Sequence, residues 1–186
     1  MDLFEFILVI TSVVYALALA QILLGVGRLA QTEATIRLFL PQTLWVVILF
    51  LTILTTWWAG WEFRSVEWVF PKYSYMMITP VFIFFSASLI IPQRTEVAEV
   101  DLNKHFLKIK RLVLSSYFIA ILAQFADGPV LANEPLWFPG RIFQAAILGT
   151  VLLGAFTTKR RLQELSSIVV LLFLAFVTLT RFWNPS

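Results

Sequence analysis

Two carboxylates, Glu5 and Glu62, stand at the ends of long apolar runs. A carboxylate at that depth concentrates cations at the mouth of a membrane pore, and one such residue per chain becomes a ring when copies assemble around an axis. Thr11 and Tyr15, four residues apart on one helical face, with Gln21 farther along, are the types that line a polar path behind such a mouth. Hydroxyls in lipid also bond back to their own helix or across to a neighbour. Glu5 and Glu62 are therefore read as a candidate pore mouth and Thr11, Tyr15 and Gln21 as a candidate polar lining.

A second group is basic. Lys108 and Arg111 are three apart, with Lys104 a turn earlier and Lys159, Arg160 and Arg161 in a separate cluster. The spacing is that of a voltage-sensing helix, but a sensor carries several charges deep into the membrane field, and these stop within two turns. Long basic side chains at such positions snorkel to the interface. Lys108, Arg111, Lys159, Arg160 and Arg161 are accordingly expected to contact anionic lipid headgroups.

The remaining candidates carry less. His105 is the single histidine and there is no cysteine, which excludes a histidine-rich metal site, two-histidine haem ligation within one chain, disulfides and thiol chemistry. Asp127 and Glu134, around Gly128 and Pro129, read as a polar turn rather than a cation site. Trp57, Trp58 and Trp61 with Phe63 offer flat surfaces that would suit a quinone, although an aromatic belt at the membrane boundary explains them better. No His, Asp, Glu or Cys cluster shares a depth, so the chain is read as a non-enzyme without cofactor or metal.

The elements that must position these groups follow from the solvent. The chain has 186 residues, 60% of them hydrophobic and 13% charged. A hydrocarbon core about 30 Å thick takes roughly 20 helical residues to cross, and it forces backbone polar groups to pair within the segment. The apolar runs predict an all-α integral membrane protein of six transmembrane helices over about 3–26, 41–61, 74–91, 105–125, 138–157 and 162–182. The whole of 1–186 forms one transmembrane domain, with no gap long enough for a soluble one.

Gly25 and Gly27 are expected to end the first helix, Pro41 to open the second, Pro80 to kink the third and Asp127-Gly128-Pro129 to break the chain after the fourth. The first run has small-residue sites at Ala16, Ala18 and Ala20, but its acidic start lacks the basic flank of a signal peptide, and it reads as a retained helix.

Of the 14 Lys and Arg residues, all but Arg64, Lys72, Arg141 and Arg181 fall on one side of the six-helix topology. That side is expected to be cytoplasmic and both termini non-cytoplasmic. Trp57, Trp58, Trp61, Trp68, Trp137 and Trp183 cluster toward the opposite side, with Trp45 alone facing the cytoplasm. Small residues at Ser12, Ala16 and Ala20, and at Ala146, Thr150 and Gly154, mark faces for close helix or subunit contact.

The function these features suggest is a small oligomeric channel or permeation protein for ions or small solutes, in the inner membrane of a bacterium. The alternative is a non-catalytic accessory or sensor subunit of a membrane complex, ahead of an enzyme acting on lipid or quinone. Partners would be the bilayer, anionic lipid headgroups, and further copies or another membrane protein. The +3 net charge lies at membrane boundaries and points away from nucleic acid.

Overall fold

The computed structural model describes residues 3–93, 98–133, 135 and 141–182. Asp2, Arg94, Glu134, Trp137, Trp183 and the expected start of the fifth helix at 138 lie outside the described residues, as does the side chain of Arg181.

The described residues form seven α-helices: α1 Leu3–Gln31, α2 Leu40–Ala59, α3 Phe70–Met76, α4 Ile78–Ile90, α5 Leu102–Leu131, α6 Arg141–Phe156 and α7 Arg160–Phe182. A 3₁₀ turn, Gly60–Ser65, extends α2. Among the described residues, four helical runs are long and apolar enough to cross a membrane, namely Leu3–Gln31, Leu40–Ser65, Phe70–Ile90 and Arg160–Thr180. They point to a membrane-embedded chain. The apolar helix α6 is shorter, at 16 residues.

The helices close a circuit. α1 packs on α2 and α4, α4 on α5, α5 on α6, α6 on α7, and α7 returns to α2. Across the middle, α2 meets α5, where the Thr52 and Tyr117 hydroxyls share a hydrogen bond of 3.0 Å and Trp45 stands edge-on to Tyr117. Trp45, Ile48, Ile83, Val113 and Tyr117 are all 2% exposed or less, so the centre of the bundle is filled. The position of Trp45 is thus decided by core packing rather than by a membrane boundary.

Several boundaries differ from the expected ones for identifiable reasons. α1 continues past Gly25 to Gln31. Gly25 serves close approach instead of helix exit, since a Cβ there would sit 2.9 Å from Cδ1 and 3.0 Å from Cβ of Ile91. Ile91 Cβ is fixed to the backbone and cannot swing away. Gly25→Val is therefore expected to push α1 from the end of α4 and to cost about 1–3 kcal/mol, read as a lower unfolding temperature of the detergent-purified protein.

Pro80 acts as expected. Lacking an N–H for the Met76 carbonyl, it leaves the run divided at Met77 into α3 and α4. The connector between α1 and α2 holds a three-residue strand, β1 Thr35–Arg37, paired in parallel with β2 Glu99–Asp101. Arg37 and Glu99 form an ion pair across it. The all-α description needs that one addition. Asp101 then caps α5, accepting from the Lys104 amide at 3.0 Å.

The small-residue faces diverge. On α6, Gly154 is buried, with room for a Cβ limited by Ser166 Oγ at 2.9 Å, whereas Ala145, Ala146 and Gly149 are exposed. On α1, Ala16 is exposed and Ser12 accepts a hydrogen bond from Trp57 Nε1 at 2.8 Å.

Candidate functional site

The site begins with a helix that does not break. Pro129 sits inside α5, and its absent N–H would have donated to the carbonyl of Phe125. That carbonyl accepts from the Arg141 guanidinium instead, and Arg141 also donates to Gln144 Oε1 at 3.0 Å while lying over the Phe125 ring at 5.0 Å. A freed carbonyl in an apolar setting is costly, and a neighbouring side chain removes the cost. With the freed group satisfied, α5 runs on to Leu131 and ends where Asn133 takes a φ of 56°, a left-handed conformation that Asn tolerates. The polar turn expected at Asp127 is thus helix, and Asp127 faces the bundle.

Along the same face of α5, neighbours reach its backbone or side chains nearly once per turn. Tyr75 donates to the Ala123 carbonyl, Thr79 to that of Ala120 at 3.4 Å, and Ser86 to that of Val113 at 3.1 Å. The Tyr75 hydroxyl is also within hydrogen-bonding reach of the Asp127 carboxylate, on which the Arg141 charge acts through space. Lys72 adds a bond to the Leu131 carbonyl at 3.0 Å. These contacts fasten α3 and α4 to α5.

Between α1, the end of α2, α3 and the end of α5 lies a cavity of about 30 Å³, space for roughly two water molecules. Among the described residues, Asp127 is the one formally charged group on its lining. Thr11, Tyr15, Thr56 and Thr79 contribute hydroxyls, and Trp57 and Phe63 contribute ring surface. Thr11 donates its proton to the Ile7 carbonyl at 2.8 Å, and Thr56 Oγ1 accepts from Gln124 at 3.1 Å. One turn from Thr56 along α2 stands the Thr52–Tyr117 pair, with Trp45 against Tyr117, in the filled centre of the bundle.

No family model matches the chain, and no curated protein or solved structure matches it. The chemistry of the cavity must be argued from its own residues.

Of the sequence candidates, Thr11 and Tyr15 are brought together on this cavity, while Gln21 is half-buried on α1 and not part of its lining. Glu5 and Glu62 are both exposed at the same end of the bundle, where Phe4 meets the Trp61 ring edge-on with centroids 6.0 Å apart. Asp127, set aside in sequence as a turn residue, is the group that the cavity is built around.

The opposite end gathers the basic residues. Lys110 is 5% exposed, and it donates with Gln163 to the Thr157 carbonyl just beyond α6. A cation on the last carbonyls of a helix satisfies both their lone pairs and the helix dipole. This bond brings Lys108 and Arg111 on α5 to the same end as Lys159, Arg160 and Arg161, and all five are exposed. Arg160 is partly committed, to Glu164 at 2.8 Å and to the Phe39 ring at 5.7 Å. Among the described residues no group of three His, Cys, Asp or Glu could hold a metal ion.

Proposed function

We propose that the chain is a six-crossing protein of the inner membrane of a bacterium, with both termini outside, and that the Asp127 cavity is the outward-facing site of a small permeation protein for monovalent cations or small solutes. The orientation rests on the Lys and Arg bias, since the Lys110 end carries most of them and such residues are retained in the cytoplasm during insertion. α5 and α6 complete the six crossings, with α6 relying on its flanks to match the bilayer thickness.

The observation that carries the functional reading is a single carboxylate in a hydroxyl-lined cavity at one end of the bundle, backed by a filled centre. A charge partly withdrawn from water is costly to keep, and a cavity that places it against space for a small ion gives it a use. On this reading passage proceeds by rearrangement of helices, as in a carrier, a mode that the filled centre supports over a standing pore. Glu5 and Glu62 at the exposed rim draw cations toward the site, and the five basic residues at the other end hold anionic headgroups.

The same filled centre supports a second reading, in which occupancy of the cavity is sensed and passed to a partner subunit with no transport. Flux separates the two. Purified protein in liposomes is expected to let a small monovalent cation across faster than protein-free vesicles, with native mass spectrometry giving the number of copies. A tight membrane around well-folded protein would favour the sensor. Topology is tested separately, because a reporter active only outside the cytoplasm should be active when fused after Ser186, and silence there would overturn the orientation.

A further inference from the structure

The lining of the cavity narrows what it takes. Thr11 and Thr79 each commit their hydroxyl proton to a backbone carbonyl, of Ile7 and Ala120 respectively, so toward the cavity their oxygens offer lone pairs only. Asp127 is likewise an acceptor when ionised, and among the described residues no cationic side chain lines the space. The Tyr15 and Thr56 hydroxyls can turn a proton inward, but the charge that the described lining carries is negative, so it selects a cation and repels an anion. Arg141 directs its hydrogen bonds to Phe125 and Gln144 and is not part of the lining, although its charge acts on Asp127 through space.

Charge and size go further. Calcium takes six to eight oxygen ligands, often several of them carboxylates, and one carboxylate beside an arginine falls short of that. A volume of about 30 Å³ admits roughly one or two non-hydrogen atoms. The rings of Tyr15, Trp57 and Phe63 on the wall suit a weakly hydrated cation with an apolar side, which aromatic faces attract. Tetrahedral N–H donors then match acceptors that approach from α1, α4 and α5 at once.

We infer that the ligand of this cavity is a small N–H-bearing monovalent cation, ammonium or methylammonium, held by the Asp127 carboxylate and the lone pairs of Thr11 and Thr79. The inference rests on the cation site proposed above, but not on transport.

The test is binding to the full chain in detergent, followed as the shift in unfolding temperature at constant ionic strength, with ammonium, methylammonium, potassium, tetramethylammonium and calcium each replacing sodium. Ammonium and methylammonium are expected to give a saturable rise, and the other three none. Asp127→Asn should weaken the apparent affinity at least tenfold. Thr11→Val, which removes only a hydroxyl bonded within its own helix, should weaken it several-fold and serves if the first variant does not fold. Equal shifts with potassium or tetramethylammonium, a stronger response to calcium, no saturable shift, or variants that respond like the parent would each overturn the assignment. Saturable binding without flux leaves the ligand assignment standing and removes transport; flux without ammonium binding does the reverse.

Discussion

Asp127→Asn is expected to cut cation flux into liposomes by tenfold to a hundredfold while leaving the helical bundle folded. The amide keeps the shape of the carboxylate and can donate an N–H to the Tyr75 hydroxyl oxygen, whose own proton goes to the Ala123 carbonyl. What is lost is the charge. A unit charge about 4 Å from a bound cation is worth roughly 4 kcal/mol at an effective dielectric constant of about 20, and water reaching the cavity reduces that. Because tenfold in binding corresponds to about 1.4 kcal/mol, a loss of one to two orders of magnitude follows. Initial rates from a cation-sensitive dye inside the vesicles measure it, with circular dichroism on the same sample to check folding. A variant that folds and conducts at the parental rate would remove Asp127 from the function.

The second large effect concerns stability. Arg141→Met is expected to cost about 2–3 kcal/mol, because it strips the donor from the Phe125 carbonyl in surroundings where water does not replace it. The cause can be isolated, since that carbonyl is free only because residue 129 is proline. In a Pro129→Ala background the new amide fills the carbonyl along the helix, and Arg141→Met should then cost less by about 1 kcal/mol or more. Arg141 also acts on Asp127 through space, a contribution present in both backgrounds that cancels in the cycle. Unfolding midpoints of the four proteins in detergent give the coupling. Equal costs in both backgrounds would mean that Arg141 stabilises by some other route.

The same pair of residues explains what could be read in the sequence and what could not. The apolar runs were legible because lipid imposes length and internal hydrogen bonding on any segment that crosses it, so α1, α2, α4 and α7 lie within a few residues of the expected runs. The kink at Pro80 was legible because nothing nearby in sequence replaces the lost bond. Pro129 carries the same local signal with the opposite outcome, since its compensating donor lies on another helix, 12 residues on at Arg141. Local rules end helices at such a triplet; a tertiary contact overrules them here. A hint survives in Leu131, an apolar residue that continues the buried spacing of α5 beyond the proline.

The candidate site was half legible for a related reason. Thr11 and Tyr15 could be paired by helical spacing alone, because both belong to α1. Gln21 shares the helix but not the depth of the cavity. Asp127 could not be added, as its role depends on α5 being continuous and on Tyr75 arriving from a separate helix. The buried role of Lys110 was hidden among Lys108 and Arg111, which have the same charge and face out; only the α6 terminus, docked beside α5, separates them.

The chain has no cysteine, which makes access to the cavity directly measurable. Thr56→Cys places a thiol on the cavity wall and Thr52→Cys places one a turn deeper, beside Tyr117. In intact cells, silver ion, a thiol-reactive cation small enough for the cavity, applied briefly from outside is expected to label the Thr56→Cys thiol, read as its protection from maleimide after unfolding, and to leave the Thr52→Cys thiol untouched, and the same ion applied to inverted vesicles should label neither. Labelling of the Thr56→Cys variant from the cytoplasmic side alone would contradict an outward-facing Asp127 cavity, and labelling of the Thr52→Cys variant from both sides would contradict the closed centre of the bundle.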